Sequence, residues 1–240
     1  MLHQLIRYRP IIKILRKEKY EPVLEIGPGS QGITKFMDVM VYGVDMDFKD
    51  YTGSMREISP DIIPAIANAE NLPFRDGSFD MVFSCDMLEH VPANRRIKVV
   101  SEMVRVAKRK VVLVFPCGQG ALTGDRLLNR MCRTFGRKAP GWLAEHLDLD
   151  FPTRDEALSI AGGLGLPYRV RGNAFLPLHY LVLAAESVGG IKKLSSDFSA
   201  IGRKKPRGLK MLLLTVTLNT LLAFSDLWPT YRVMIEIDKP

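Results

Sequence analysis

Val23-Leu24-Glu25-Ile26-Gly27-Pro28-Gly29-Ser30-Gln31-Gly32 decides how this chain is read, together with Asp45, which follows Gly29 by sixteen residues. An apolar run of strand character leads into a glycine-rich turn, a helix start over Gln31–Met37 and a second short strand ending in acid. Glycines let the backbone turn sharply and approach a ligand closely. A helix start offers unpaired N–H groups, and an acid closing the next strand can hold a pair of ribose hydroxyls. The segment reads as the seat of a nucleotide-like cofactor. Gly27-x-Gly29-x-x-Gly32 also has the spacing of the dinucleotide fingerprint, so the glycines alone leave open which cofactor binds.

Outward from this stretch, strands and helices alternate. Strands are expected over Val23–Ile26, Val39–Asp45, Phe79–Ser84 and Val111–Phe115. Asp61–Ile66 is a short helix or strand behind the boundary residue Pro60. Pro92–Val106 is helical, with Val99, Val100, Met103, Val104 and Ala107 on one face, and Lys108–Lys110 ends it with positive charge. This alternation predicts an α/β fold with a mostly parallel sheet covered on both sides. Residues 1–20 mix apolar and basic side chains and read as an amphipathic helix packed on the sheet. They lack the apolar core and cleavage site of a signal peptide.

Beyond Pro116 the character changes. Gly118–Pro140 carries Arg126, Arg130, Arg133, Arg137 and Lys138 against Asp125, and reads as an exposed helical excursion with Leu127, Leu128 and Met131 on its apolar side. Thr153–Ala161 is a helix capped by Thr153, with Glu156 as capping-box partner and Gly162-Gly163 as its stop. Tyr168–Arg171 is a short strand, Leu178–Glu186 and Leu209–Phe224 are helices, and Tyr231–Ile237 is a closing strand at an edge of the sheet.

The 240 residues carry a net charge of +8, which permits a phosphate-bearing partner or an anionic membrane surface. A solvated basic face is the commoner reason for such a charge. Cys85, Cys117 and Cys132 form neither a disulfide framework nor a zinc spacing, which points to a reducing, cytoplasmic setting. Met211–Phe224 is too short for a membrane span. Core packing is the first reading of it; a helix lying on an anionic surface beside Arg203, Lys204, Lys205 and Arg207 is the rival.

Four ordered segments between Glu21 and Phe115 carry a more specific signal. LEIGPGSQG, VYGVDMD, NAENLPFRDGSFDMVFSCDMLEHV and RVAKRKVVLVFP together resemble the class I S-adenosylmethionine-dependent methyltransferases, in particular the methyltransferase type 11 group. The resemblance implies a three-layer Rossmann-like fold with a mixed seven-stranded sheet whose last strand is antiparallel. It implies S-adenosyl-L-methionine as cofactor. Gly27 and Gly29 would cradle its methionine portion, Glu25 would support loop and ligand, and Asp45 would hold the ribose hydroxyls, with Met46 beside it as a further cofactor contact. Asn68 and Ala69 would meet the adenine, with Ser84 at the end of the fourth strand completing the pocket. Gln31 stands where the family often has a third glycine, and Ala67-Asn68-Ala69 replaces Gly-Asp-Ala.

On this reading the chain is one methyltransferase domain. Residues 21–117 form the cofactor-binding core, and residues 118–150 and 175–228 are helical additions on the acceptor side. A sulfonium carries its own activated methyl group, so no metal cluster or nucleophilic triad is required. A base is needed only if the acceptor must lose a proton. Glu145 and His146 are the first candidates, and His90 is another. The expected activity is methyl transfer to a small or lipid-like acceptor, with nucleic acid disfavoured because no aromatic platform accompanies the basic runs. The rivals are a nicotinamide-dependent oxidoreductase and a non-catalytic membrane-associated binding protein.

Overall fold

The computed structural model describes residues 2–49, 54–139, 141–187 and 229–240. Seven strands form one sheet: β1 (Val23–Ile26), β2 (Val41–Asp45), β3 (Ile62–Ile66), β4 (Phe79–Cys85), β5 (Ala107–Pro116), β6 (Tyr168–Phe175) and β7 (Thr230–Asp238), in the order β3-β2-β1-β4-β5-β7-β6. The pairs from β3 through β5 are parallel, and β7 runs antiparallel to both β5 and β6. Asp61–Ile66 is thus resolved as strand, as its β-branched pair Ile62-Ile63 favours.

Among the described residues six helices accompany this sheet: α1 (Leu2–Lys17), α2 (Ala93–Val106), α3 (Gly118–Thr134), α4 (Gly141–Leu147), α5 (Arg154–Gly163) and α6 (Leu176–Ser187). The period-two alternation of β4 and β5 divides the core. Met81, Phe83, Val112 and Val114 pack with Ile6, Tyr8 and Ile11 of α1. Val82, Val111 and Leu113 pack with Val99, Val100 and Met103 of α2 and with Ile160 of α5. Each such side chain, fully buried, contributes roughly 1.5–3 kcal/mol. The carboxyl ends of the parallel strands then open on one edge, where ligands bind in sheets of this kind.

Several expectations are corrected. Only a single 3₁₀ turn, Gly32–Lys35, follows the glycine loop in place of the helix start expected over Gln31–Met37. Lys108–Lys110 lies inside β5, which begins at Ala107. β7 is interior, flanked by β5 and β6, and β6 is the edge. Leu127 and Met131 of α3 are exposed, and its inward face is Ala121, Leu122, Asp125, Leu128 and Cys132. Thr153 does cap α5, its Oγ accepting from Glu156 N at 3.1 Å, but the Glu156 carboxylate turns to Arg96 instead of closing a capping box. The basic run at 203–207 and the apolar segment 209–224 lie outside the described residues. Among the described residues no helix is long and apolar enough to cross a membrane.

Candidate active site

The glycine loop leaves β1 with Gly27 and Gly29 at φ of +73° and +55°, the left-handed region that glycine occupies at no steric cost. Glu25, 1% exposed, sits beneath the loop. Its Oε2 accepts from Ile33 N at 2.9 Å, and its Oε1 accepts from the Tyr8 hydroxyl of α1 at 2.7 Å. Burial pushes the Glu25 carboxyl up to about 7, against those two donors. Glu25 therefore supports the loop and lines neither of the cavities described below. Gly32 belongs to the same lock, since a Cβ there would stand 2.8 Å from the Glu25 Cδ.

One cavity of about 510 Å³ lies over the ends of β1 and β2, lined by Gly27, Gly29, Asp45, Met46, Asn68 and Ala69 among others. Asp45 Oδ2 accepts from Gly29 N at 3.0 Å and Oδ1 from Met46 N at 2.9 Å. A carboxylate has about four acceptor sites, so lone pairs remain for two ribose hydroxyls. Burial raises the Asp45 pKa from its ordinary value. Asn68 Oδ1 is spent on Glu70 N at 2.9 Å, which leaves the amide NH₂ as the group able to read a base edge. A Cβ on Gly29 would meet nothing within 4 Å, because it would project into open space beside the loop. These donors, acceptors and open spaces fit a nucleoside with a charged tail. Ser84 does not join them: it is buried within β4, between Ile26 and Leu113 of the flanking strands, and lines neither cavity.

A second cavity of about 270 Å³ adjoins the first and shares Gly27, Gly29, Asp86 and His90 with it. Its walls add Arg7 and Tyr8 of α1, Trp142 and His146 of α4, and Arg232 of β7. Asp86, just past β4 at φ +53°, takes a two-pronged bond from Arg232 Nε and Nη2, each 2.6 Å, and a third from Arg7 Nη1 at 3.0 Å. Burial alone would raise the Asp86 pKa, but Arg232 and Arg7 outweigh it and hold the carboxylate well below its ordinary range.

The three residues expected on the acceptor side do come together. His90 Nδ1 lies 3.1 Å from Glu145 Oε1, and the His90 and His146 rings are 5.9 Å apart. His146 Nδ1 is 3.1 Å from Asp125 Oδ2, and its ring is held edge-on by Trp142 and Phe151. Asp125 is fully buried and also accepts from Tyr231 at 2.9 Å and Tyr180 at 3.0 Å. Sequence reading missed Asp125, Asp86, Arg7 and Arg232. Only Asp125 left a signal, since its spacing from Ala121, Leu128 and Cys132 puts it on the inward helical stripe.

Residues 24–115 match the methyltransferase domain family. The chain is 24% identical over 162 residues to tocopherol O-methyltransferase of Arabidopsis thaliana, covering 59% of this chain and 45% of that protein. It is 26% identical over 173 residues to a probable tocopherol O-methyltransferase of Oryza sativa subsp. japonica, covering 60% and 47%. The chain thus spans about half the length of the curated relatives it matches. Among solved structures, phosphoethanolamine N-methyltransferase 2 of Haemonchus contortus, with phosphomonomethylethanolamine and S-adenosylhomocysteine bound, superimposes with a TM-score of 0.53 at 18% identity. That match covers 97% of this chain and 53% of the other, and is a likeness of fold.

Proposed function

We propose that this chain, whose residues 24–115 match a methyltransferase domain, is a class I S-adenosylmethionine-dependent methyltransferase that methylates a small acceptor seated in the cavity between α1, α4 and β7. The observation that carries the reading is the junction of the two cavities at Gly27, Gly29, Asp86 and His90. One cavity has the groups for a nucleoside and the other is closed by polar and aromatic side chains, so two ligands would meet at the glycine loop.

S-adenosyl-L-methionine, when bound, supplies a methyl group already activated on sulfur. The protein's share is alignment and exclusion of water. Asp45 would take the ribose hydroxyls, Met46, Asn68 and Ala69 would line the base, and Gly27 and Gly29 would let the backbone approach the charged tail. Glu145, His90 and His146 would face the acceptor's heteroatom. Trp142 presents a partly exposed ring to the cavity and Arg7 a guanidinium for a polar substituent, with the buried Tyr8 and Phe36 rings behind them. A lipid-like acceptor with a polar ring accords with that lining and with the tocopherol named for the curated relatives.

Calorimetry tests the reading. S-adenosylmethionine and its demethylated product should bind and NAD should not. Asp45→Ala should weaken binding by about 0.5–3 kcal/mol through lost ribose hydrogen bonds. NAD binding with no response to either sulfur ligand would sink the proposal.

A further inference from the structure

Glu89 follows β4 in the short 3₁₀ turn Leu88–His90 and is 1% exposed, yet neither of its carboxylate oxygens accepts a hydrogen bond. Buried carboxylates are ordinarily paired, hydrogen-bonded or bound to metal, because an isolated one is costly to desolvate. The His90 Nε2 is 3.9 Å from Glu89 Oε1, too far for a hydrogen bond. The surroundings supply another solution. One ligand atom each from Glu89, His90 and His146 lie within 4.8 Å of one another.

The two imidazoles are prepared in the same way. His90 Nδ1 faces the Glu145 carboxylate and His146 Nδ1 faces that of Asp125, each at 3.1 Å. A carboxylate behind Nδ1 keeps the proton there, leaves the Nε2 lone pair outward, and makes that nitrogen a better ligand. Asp125 is itself fixed by Tyr180 and Tyr231, so the support extends to a third layer.

We propose that Glu89, His90 and His146 bind a first-row divalent cation of the Zn²⁺ type, through one Glu89 oxygen and Nε2 of each histidine. Two imidazole nitrogens disfavour Mg²⁺, which takes oxygen ligands. Bonds of about 2.0–2.2 Å place ligand atoms roughly 3–3.5 Å apart, so the three side chains would close in by about 1 Å on binding. Three protein ligands leave coordination positions open. His90 lines both cavities, so the open side faces the place where an acceptor's oxygen would lie. Only that positioning role rests on the methyl-transfer reading; metal binding does not.

The test uses the full chain, stripped with chelator and free of cofactor, titrated with Co²⁺ as a spectroscopic probe. One equivalent should bind with visible ligand-field bands, be displaced by Zn²⁺ and persist in excess Mg²⁺. Zn²⁺ should raise the melting temperature of the wild type and not that of Glu89→Gln. That variant removes the anionic ligand oxygen while keeping the shape, and should lose at least about 100-fold in Co²⁺ affinity, the upper end of what even an outer-layer change costs. If Glu89→Gln does not fold, His90→Asn at the partly exposed position gives the same readout. Absence of Co²⁺ bands at millimolar metal, displacement by Mg²⁺, or wild-type affinity in a folded variant would overturn the proposal. Sulfur-ligand binding, measured separately, would survive any of these results, so the two readings fail independently.

Discussion

Gly29 and Gly32 both have positive φ, yet they are glycine for different reasons. At Gly29 a side chain would meet no protein atom within 4 Å, whereas at Gly32 it would run into Glu25 and Pro28. Gly29→Ala should therefore cost the fold about 1–2 kcal/mol, the penalty for the left-handed backbone, and block the ligand. Gly32→Ala adds the clash and should cost distinctly more stability. Urea melts with parallel calorimetry separate the two, and equal destabilisation would refute the distinction. Glu25 gives a second residue-scale prediction. Its folded pKa of about 7 lies above its ordinary value of 4.5, so its contribution to stability is complete below pH 4.5 and is lost as the pH rises through 7. In Glu25→Gln the amide carbonyl can take the Ile33 N–H and the NH₂ can donate to the Tyr8 oxygen. The variant should lack the loss of up to roughly 3 kcal/mol across that window. A wild-type slope in its melts between pH 4.5 and 7.5 would exclude Glu25 as the source.

Between elements, Arg96 ties α2 to the start of α5. It is 1% exposed; its Nε donates to Val91 O at 2.9 Å, its Nη1 to both Glu156 oxygens at 2.9 Å, and its Nη2 to Asp150 O. Arg96→Ala should destabilise by about 3 kcal/mol, the low end for breaking such a pair, because Glu156 can regain water. A denaturation midpoint within error of wild type would show the pair to be dispensable. This tie also marks where sequence reading stops. The face of α2 was legible because Val99, Val100 and Met103 repeat at helical spacing. The Arg96–Glu156 pair was not, because sixty residues separate its members and Glu156 looked like a capping partner. The glycine loop and Asp45 were legible because local backbone chemistry fixes them. Asp86, Arg7 and Arg232 were hidden because their meeting depends on the order of strands.

At the scale of the molecule, alternation of strand and helix was enough to anticipate a covered, mostly parallel sheet. It gave no account of which strand lies inside. Tyr231–Ile237 alternates like an edge strand, yet β7 is buried almost throughout its length between β5 and β6. The placement has a consequence for biosynthesis. β6 is joined to the sheet only through β7, and Arg232 and Tyr231 reach the site from that same strand. A ribosome must therefore deliver residue 238 before β6 has a partner and before Asp86 and Asp125 have their full complement of donors. Until then the nascent chain carries β5 with one edge unpaired, a template for mispairing that non-local strand order prolongs. The half of the sheet that would hold the cofactor is ready early; the half that would choose the acceptor is set by the last strand translated of the seven.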